Sequence, residues 1–328
     1  MASKRATILD VAAKAGVSTT TVSDALRGRG RISAETRASV ERAASDIGYV
    51  PNRAARSLRI AEYGVIGLQL PQTLSRSEFY MSTTFGVLER CANSDYDVTL
   101  ISSSRKSAPP DVDGVIVVDP VVGDRGVQRA LQLEVPIVSM ERIIDADVKA
   151  ALVTADYEGA VHSLLDTLSE GGAKRIGLLS AVAETDWARR VRSEYERWCK
   201  GRGAVADFEL HSVKDSDEIW VEGAQALLGR GCDAVLCGPP TAAHALLVAT
   251  AAADLELGRD LLAACVVDAP SLATSLPPIT SVDLQPRASG HAAVDLLLAI
   301  LRSESPADAV VPIESILTVR DSTGVVTA

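Results

Sequence analysis

The start of the chain is rich in basic residues, which could act together in binding an anion. Residues 1–59 contain eleven Lys or Arg against five Asp or Glu, a net charge of +6. The rest of the 328 residues carries −16, so the total of −10 hides a division along the chain. A basic head on an acidic body concentrates attraction for a polyanion at one end. This division favours nucleic-acid binding by the first sixty residues.

Signals for catalysis are absent from the sequence. It contains no Gly-rich phosphate loop, no HExxH and no GxSxG, and its four histidines have no metal-ligand spacing. The five cysteines are scattered without a CxxC pair, as expected for reduced, buried thiols. We therefore expect no enzyme activity, no cofactor and no metal. With no signal-peptide pattern and no apolar run near about 18 to 20 residues, we expect a cytoplasmic protein without a membrane partner.

Three short helices are predicted in the basic head, over residues 7–15, 19–26 and 34–47. Gly16 suits the left-handed position that ends the first helix, and Ser18 suits the N-cap of the second. Two short helices separated by about four residues with a glycine describe a helix-turn-helix. The start of the second helix of such a motif enters the major groove of DNA. The alternative is a generic three-helix domain.

The head contains a series of characteristic stretches: ILDVAAKAGVS at 8–18, TVS at 21–23, Ile32-Ser33, Thr36-Arg37, Ile47-Gly48-Tyr49 and PNRAARSL at 51–58. In these stretches it closely resembles the DNA-binding headpiece of the lactose/galactose-repressor (LacI/GalR) family. The resemblance extends over nearly sixty residues, so it is far more specific than a single short motif.

The resemblance implies a set of DNA-contacting side chains. Thr19 and Thr20 would face base edges, where their methyl and hydroxyl groups suit several bases. Asp24, one turn further on, departs from the family, which commonly has Arg there. It either accepts a hydrogen bond from a base such as cytosine or contacts only Arg27 or Arg29, and the operator should be unusual. Phosphate contacts, which position the head without reading sequence, are expected from Ser18, Ser23, Ser33 and Arg27.

A hinge helix is expected after the headpiece, beginning at Pro51 and making about two turns. So short a helix is marginal alone in water and should form when paired with its twin on DNA. By resemblance, Leu58 of each subunit inserts into the minor groove at the operator centre, and Ala55 lies along the groove floor. Such apolar wedges kink the duplex. The hinge residues assigned to the minor groove are Asn52, Ala55 and Leu58.

The rest of the chain alternates apolar strand-like runs with helical stretches. The predicted strands are 64–68, 97–101, 114–118, 136–140, 175–179, 208–213, 234–237, 264–267 and 313–319. The predicted helices are 83–93, 126–133, 157–168, 188–201, 222–230, 241–253 and 289–301. Two successive alternations of this kind predict two open parallel sheets whose strand carboxyl ends face a shared cleft.

This second part resembles the periplasmic-binding-protein-like sensor of the same family. The resemblance rests on VDGVI at 112–116, VPIV at 135–138, KRIG at 174–177, PITSV at 278–282 and RDST at 320–323. The expected fold is a small all-α helix-turn-helix headpiece plus an α/β periplasmic-binding-protein-like body of two parallel-sheet lobes. The expected domains are a headpiece at 1–50, a hinge at 51–60 and a body for effector binding and dimerisation at 61–328. By resemblance, lobe 1 takes residues 61–155 and 285–311, and lobe 2 takes 156–284 and 312–328.

The ligand pocket is the less specific part of the resemblance. Where sugar-binding members often carry an Asn-Asp pair, this chain has Cys237-Gly238-Pro239-Pro240. One predicted helix carries three arginines, Arg189, Arg190 and Arg192, which either contact a ligand or are solvated. The two tryptophans Trp187 and Trp220 either stack on a sugar or pack in the core. Asp268 falls near the family's ligand-contacting Asp. The effector candidates are Arg189, Arg192, Trp220 and Asp268. A sugar, another small molecule and no effector all stay open.

The function expected from these features is a bacterial, nucleoid-associated transcription regulator of the LacI/GalR type. It should bind a pseudo-palindromic double-stranded operator as a homodimer or as a tetramer and act as a repressor. A small molecule in the interlobe cleft should modulate it by changing the angle between lobes. Activation in place of repression stays open. An effector-independent repressor is the alternative within the class. A solute-binding protein and an enzyme on the same fold are the alternatives outside it.

Overall fold

The structure is a computed structural model that describes residues 6–26, 32–49, 63–71, 78–102 and 110–324. The chain divides into two compact units, residues 1–64 and residues 65–328. Among the described residues, no helix is long and apolar enough to cross a membrane.

The described residues of the first unit form three helices, α1 (Ile8–Ala15), α2 (Thr19–Leu26) and α3 (Ala34–Asp46). Their apolar faces meet in one small core at the fully buried Val11, Val22 and Val40, one from each helix. The helices are too short to be stable alone, so this shared core maintains them. Each apolar position recurs at helical spacing in the sequence, which is why the three helices were predictable.

The second unit contains two six-stranded sheets with helices packed on both. The strands of sheet 1 are β1 (Val65–Gln69), β2 (Asp97–Ile101), β3 (Gly114–Val117), β4 (Ile137–Ser139), β5 (Ala151–Ala155) and β11 (Val310–Ile313). Those of sheet 2 are β6 (Ile176–Ala181), β7 (Phe208–His211), β8 (Ala234–Cys237), β9 (Leu262–Cys265), β10 (Thr280–Asp283) and β12 (Ile316–Thr318). The strand orders are β11-β5-β4-β3-β1-β2 and β12-β10-β9-β8-β6-β7.

The helices of this unit follow the strands in the usual alternation. They are α4 (Glu78–Ala92), α5 (Arg125–Leu131), α6 (Tyr157–Glu170), α7 (Asp186–Gly201), α8 (Asp217–Gly229), α9 (Pro240–Ala252), α10 (Pro270–Ala273) and α11 (Pro286–Leu301). Within the described part of the chain, all pairs of these strands are parallel except β10 with β12. The expected fold class is therefore confirmed.

The end of the chain differs from the prediction of one late strand at 313–319. The structure has two short strands there, and they belong to different sheets: β11 pairs with β5 in sheet 1, and β12 pairs with β10 in sheet 2. The chain passes between the lobes after Ile313, two residues beyond the expected boundary at 311. The strands β5 and β10 were not predicted either, because their runs ALVTA and TSVD are short and contain polar residues.

The two helices of lobe 1 that pack most closely are α4 and α11. A Cβ on Gly86 would lie 2.2 Å from the carbonyl oxygen of Arg287, and one on Gly290 would lie 2.5 Å from that of Thr83. Only glycine at both positions permits this approach of the two backbones. This contact joins α11, which enters lobe 1 after sheet 2, to the helix that follows β1.

Candidate nucleic-acid interface and interlobe cleft

The start of α2 is fixed by local interactions within the first unit. Thr7 and Asp10 form a capping box at the beginning of α1, in which the Thr7 amide donates to Asp10 Oδ2 at 2.8 Å. Gly16 then ends α1 with φ of +68°, and the amide of Val17 donates to the carbonyl of Ala12 at 3.1 Å. Ser18 begins α2, since its Oγ accepts from the Thr21 amide at 3.1 Å. These contacts present the first turn of α2 at the surface.

The expected base-reading residues lie along this helix. Thr20 is exposed, and Thr19 and Asp24 are half-buried, with Asp24 one turn beyond Thr20. Arg27 and Arg29, the possible partners of Asp24, lie outside the described residues. Two side chains on one face, one turn apart, form a surface that could follow a groove edge.

The expected phosphate contacts have local partners in the structure. Ser18 and Ser33 are both exposed and both cap helices, and Ser33 Oγ accepts from the Thr36 amide at 3.1 Å. The N-termini of α2 and α3 therefore carry exposed hydroxyls, and the N-terminal end of a helix is a favourable setting for phosphate. Ser23 is half-buried on α2. The hinge residues Asn52, Ala55 and Leu58 lie outside the described residues.

A cavity of about 370 Å³ lies in the second unit between the carboxyl ends of the two sheets. Its walls come from the segments that follow β3, β4 and β5 in lobe 1 and β6, β7, β8, β9 and β10 in lobe 2, together with the start of α4. This is the place where open parallel sheets bind ligands, and the volume is within the usual range for small-molecule sites.

The lobe 1 wall carries two carboxyl groups that are each bound by a tyrosine. The hydroxyl of Tyr80 donates to Oδ2 of Asp119, and the hydroxyl of Tyr157 donates to Oε1 of Glu141. Asp119 Oδ1 and Glu141 Oε2 have no hydrogen-bond partner in the described part of the chain. Burial raises the pKa of Asp119, against the lowering effect of Tyr80. Burial and the charge of Asp119 raise the pKa of Glu141 well above its usual value.

The lobe 2 wall is mostly apolar and aromatic. Trp220 is 1% exposed and packs in a core cluster, as one of its two expected roles requires, and it also lines the cavity. Trp187 lines the cavity as well, and its buried Nε1 has no partner among the described residues. Pro239 and Pro240 begin α9 without a capping side chain. This wall therefore offers flat apolar surface and the Trp187 indole donor in place of the Asn-Asp pair common in sugar-binding members. Its other polar lining residues include Thr185, Thr241, His244, Asp268 and Ser271.

The effector candidates separate into two groups in the structure. Trp220 and Asp268 line the cavity, whereas Arg189 and Arg192 do not. Arg189 is exposed and donates to the carbonyl of Ala183 at 3.1 Å. Arg192 pairs with Glu196 one turn along α7 at 2.9 Å and stacks on the ring of Phe208. These two arginines point away from the cleft because successive residues of a helix differ in direction by about 100°.

Arg190, which was also a ligand candidate, is held next to the cleft. Arg190 binds both carboxylate oxygens of Glu158 and donates to Thr154 Oγ1 at 3.0 Å. Its guanidinium lies 4.9 Å from the ring centroid of Tyr157, on the outer side of the Tyr157–Glu141 pair. Arg190 therefore supports the cavity wall without lining the cavity.

Asp119, Glu141 and their tyrosine partners were not among the residues predicted from the sequence to form the site. A signal was present, since Asp119 lies two residues after β3 and Glu141 lies two residues after β4. Polar residues at the carboxyl ends of adjacent parallel strands converge at one edge of a sheet. The two tyrosines could not be assigned in this way, because they come from separate helices.

Two family models match the chain. Residues 7–52 match the model for bacterial regulatory proteins of the lacI family, and residues 165–323 match the model for a periplasmic binding protein-like domain. The HTH-type transcriptional regulator AglR of Rhizobium meliloti is 29% identical over 75% of this chain and 73% of its own length. The regulator MalR of Streptomyces coelicolor is 27% identical over 89% of each chain. The ribose operon repressor of Haemophilus influenzae is 26% identical over 91% of this chain and 92% of its own.

Solved structures with the same fold span almost the whole chain. The lac repressor dimer bound to operator and the anti-inducer ONPF superposes with a TM-score of 0.78 at 20% identity, over 98% of this chain and 99% of that one. The complex of the transcriptional regulator CelR with cellobiose gives a TM-score of 0.69 at 23% identity, over 97% and 100%.

A helix-turn-helix unit followed by a two-lobed body with a cleft defines a class of bacterial transcription regulators. The chain belongs to the lacI family of bacterial regulatory proteins. It is a DNA-binding regulator of transcription and not an enzyme, and both expectations are confirmed by its relatives.

Proposed function

We propose that the chain binds a pseudo-palindromic operator as a homodimer, or as a tetramer built from such dimers, in the bacterial cytoplasm at the nucleoid. A small molecule in the interlobe cleft, a sugar or a related metabolite, controls this binding. One observation carries the proposal: the chain joins a DNA-reading headpiece to a cavity whose walls come from both lobes. A ligand that fits one lobe angle better than another shifts the population of the two states.

Dimerisation is supported by an apolar stripe on α4. Met81, Phe85 and Leu88 are each 44–49% exposed and recur at helical spacing on one face. Large exposed apolar residues grouped in this way are typical of protein interfaces. A second copy of this chain is the proposed occupant, since a palindromic site requires two headpieces.

The DNA contacts of the proposal are those expected from the sequence. Thr19, Thr20 and Asp24 read bases, while Ser18, Ser23, Ser33 and Arg27 contact phosphates. Asn52, Ala55 and Leu58 act in the minor groove at the operator centre. The exposed caps at Ser18 and Ser33 support the phosphate assignments, and the hinge assignments rest on the family resemblance alone.

The test is footprinting of the full chain on the DNA upstream of its own gene. We expect protection of a two-fold symmetric site, with enhanced cleavage at a kinked central step. Leu58→Ala should weaken specific binding at least tenfold, and Leu9→Ala, at an exposed leucine of α1, should not. Protection without any symmetric preference would contradict the proposed mode of binding.

The effector is tested separately by thermal shift with neutral sugars and phosphosugars, since a ligand of the native state raises its stability. A compound that both stabilises the body and changes operator affinity supports control by an effector. Operator binding that no compound changes would favour the second candidate, an effector-independent repressor. The absence of an Asn-Asp pair before α9 is the observation in favour of that candidate.

A further inference from the structure

We propose that the effector of the interlobe cleft is a sugar-sized organic cation, with a protonated amine at Asp119 and Glu141 and hydroxyl groups elsewhere. An aminated sugar is the simplest such molecule. This inference rests on the proposed control by a cleft ligand and specifies its chemical class.

Each of the two carboxyl groups on the lobe 1 wall has one oxygen bound by a tyrosine and one oxygen without a partner in the described residues. Glu141 is 4% exposed and lines the cavity, and its Oε1 accepts from Tyr157 while Oε2 has no partner within the described residues. Asp119 repeats the arrangement, with Oδ2 bound by Tyr80 and Oδ1 without a partner. A buried acceptor left without a donor is costly, so a ligand donor at this place gains more than one at the surface.

The charged residues that line the cavity are acidic. Five carboxyl groups line it, and none of the lining residues in the described part of the chain is Lys or Arg. Asp268 is neutralised by Arg320, and Arg190 behind the wall is bound to Glu158. The remaining lining carboxyl groups are Glu78, Asp119, Glu141 and Glu184. A phosphorylated or carboxylated ligand would bring further negative charge to this surface, whereas a cation beside Asp119 and Glu141 would favour their ionised forms against the burial that raises their pKa.

The cavity is also rich in aromatic side chains. The chain has only twelve aromatic residues, and five of them line this one cavity. They are Phe79, Tyr80, Tyr157, Trp187 and Trp220. Aromatic faces beside carboxylates are the usual surroundings of a bound organic ammonium group, because the ring quadrupole attracts a desolvated cation.

The indole of Trp187 requires a hydrogen-bond acceptor on the same ligand, in addition to the amine. Its buried Nε1 can only donate, and it has no acceptor in the described part of the chain. An ammonium group cannot accept a hydrogen bond, so a hydroxyl or ether oxygen must do so. The ligand therefore combines an amine for the lobe 1 wall with oxygen acceptors for the lobe 2 wall, and by touching both lobes it favours one lobe angle.

The test measures binding by isothermal titration calorimetry with the full chain. The probes are D-glucosamine and its β-1,4-linked dimer, each matched with an uncharged counterpart, D-glucose and cellobiose, and D-glucose 6-phosphate represents anions. We expect at least one amine probe to bind about tenfold or more tightly than its uncharged counterpart, because a hydrogen bond between charged groups is stronger than a neutral one.

Three variants locate this preference in the protein. Glu141→Gln and Asp119→Asn keep the shape of each side chain and remove its charge, and each should bring the ratio of the two Kd values close to one. Glu196→Gln removes a carboxylate that pairs with Arg192 outside the cavity, and it should keep the preference. Circular dichroism and operator binding check that each variant is folded. A preference that persists in both Glu141→Gln and Asp119→Asn would overturn the assignment.

Other outcomes in the wild-type chain also overturn the inference. Cellobiose or glucose binding as tightly as the amine, or tightest binding by glucose 6-phosphate, would show a neutral or anionic effector and leave control by a cleft ligand intact. No heat with either amine at about 10 mM would equally exclude this cation class. Operator affinity, measured in parallel, shows whether the proposed regulatory function survives that result.

Discussion

Both carboxylate oxygens of Asp268 accept hydrogen bonds from the guanidinium of Arg320, each at 2.9 Å. Ser281 donates to the same carboxylate at 2.6 Å, and the Ala269 amide donates at 2.9 Å. Arg320 follows β12, so the pair attaches the last described segment of the chain to the end of β9 and to β10. Asp268 lines the cleft, but its main contacts are to this internal network.

We predict that Asp268→Asn lowers the free energy of unfolding of the body by about 2 kcal/mol, because it leaves a mostly buried guanidinium without its counter-charge. Urea unfolding of the two proteins at pH 7.5 measures the loss. Glu196→Gln is the control, since its pair with Arg192 is more exposed and should contribute well below about 1 kcal/mol. Equal losses in the two variants would contradict a structural role for Asp268.

Acid should weaken the same pair. Burial alone would raise the pKa of Asp268, but hydrogen bonds from Arg320 and Ser281 outweigh it and hold the pKa below its usual value. A lowered pKa means that the stabilisation is present at neutral pH and is lost as the pH falls through the folded-state pKa. The difference in unfolding free energy between wild type and Asp268→Asn should therefore shrink in strong acid.

Glu141 should give the opposite pH dependence. Burial, Asp119 and Asp186 raise its pKa, and the Tyr157 hydrogen bond and Arg190 only partly oppose them. A group whose pKa is raised in the folded state stabilises at low pH, and this stabilisation is lost as the pH rises through the folded pKa. We expect Glu141→Gln to raise the free energy of unfolding of the ligand-free body by about 1 kcal/mol at pH 7.5 and by less at pH 5. A pH-independent effect in thermal unfolding would contradict the buried-charge explanation.

The close approach of α4 and α11 predicts that Gly86→Ala is destabilising. The new Cβ would lie 2.2 Å from the Arg287 carbonyl oxygen, so the two helices must separate, at a cost of about 2 kcal/mol. Gly229→Ala is the matched control, because a Cβ at this last residue of α8 meets nothing within 4 Å. The control should be neutral or stabilising by up to about 1 kcal/mol. Urea unfolding distinguishes the two, and a neutral Gly86→Ala would show that the helices can move apart freely.

The apolar stripe on α4 predicts a specific effect on assembly. Phe85→Asp places a charge in the centre of the stripe and should shift sedimentation velocity profiles from dimer to monomer at micromolar concentration. Val205→Asp changes a 90% exposed valine before β7 and should leave the dimer unchanged. An unchanged dimer in Phe85→Asp would place the interface elsewhere.

The surface of α2 predicts a separation of specific from general DNA affinity. Thr20→Ala removes an exposed side chain from the first turn without breaking a cap, and it should lower operator affinity by about 1 kcal/mol or more. Affinity for unrelated DNA and the salt dependence should stay the same, because those reflect phosphate contacts. Ser45→Ala on α3 is the control, and equal losses on both DNAs would assign Thr20 to phosphates.

The helices of the headpiece could be predicted from the sequence because local interactions determine them. Gly16 adopts the left-handed conformation that was expected of it, and Ser18 and Ser33 cap the helices that follow them. Each of these features depends on neighbours within three or four residues, so the sequence contains the whole cause. The alternation of apolar runs and helices predicted the two sheets for the same reason.

The side-chain contacts of the cleft could not be predicted from the sequence in this way. Tyr80 meets Asp119 across 39 positions of the chain, Tyr157 meets Glu141 across 16, and Asp268 meets Arg320 across 52. The sequence by itself determined most of the elements, the charged head and the family, because periodicity, capping and motif matches are local. Only the tertiary structure decided which carboxyl groups face the cavity and which are neutralised, because burial and charge pairing depend on side chains that the fold brings together.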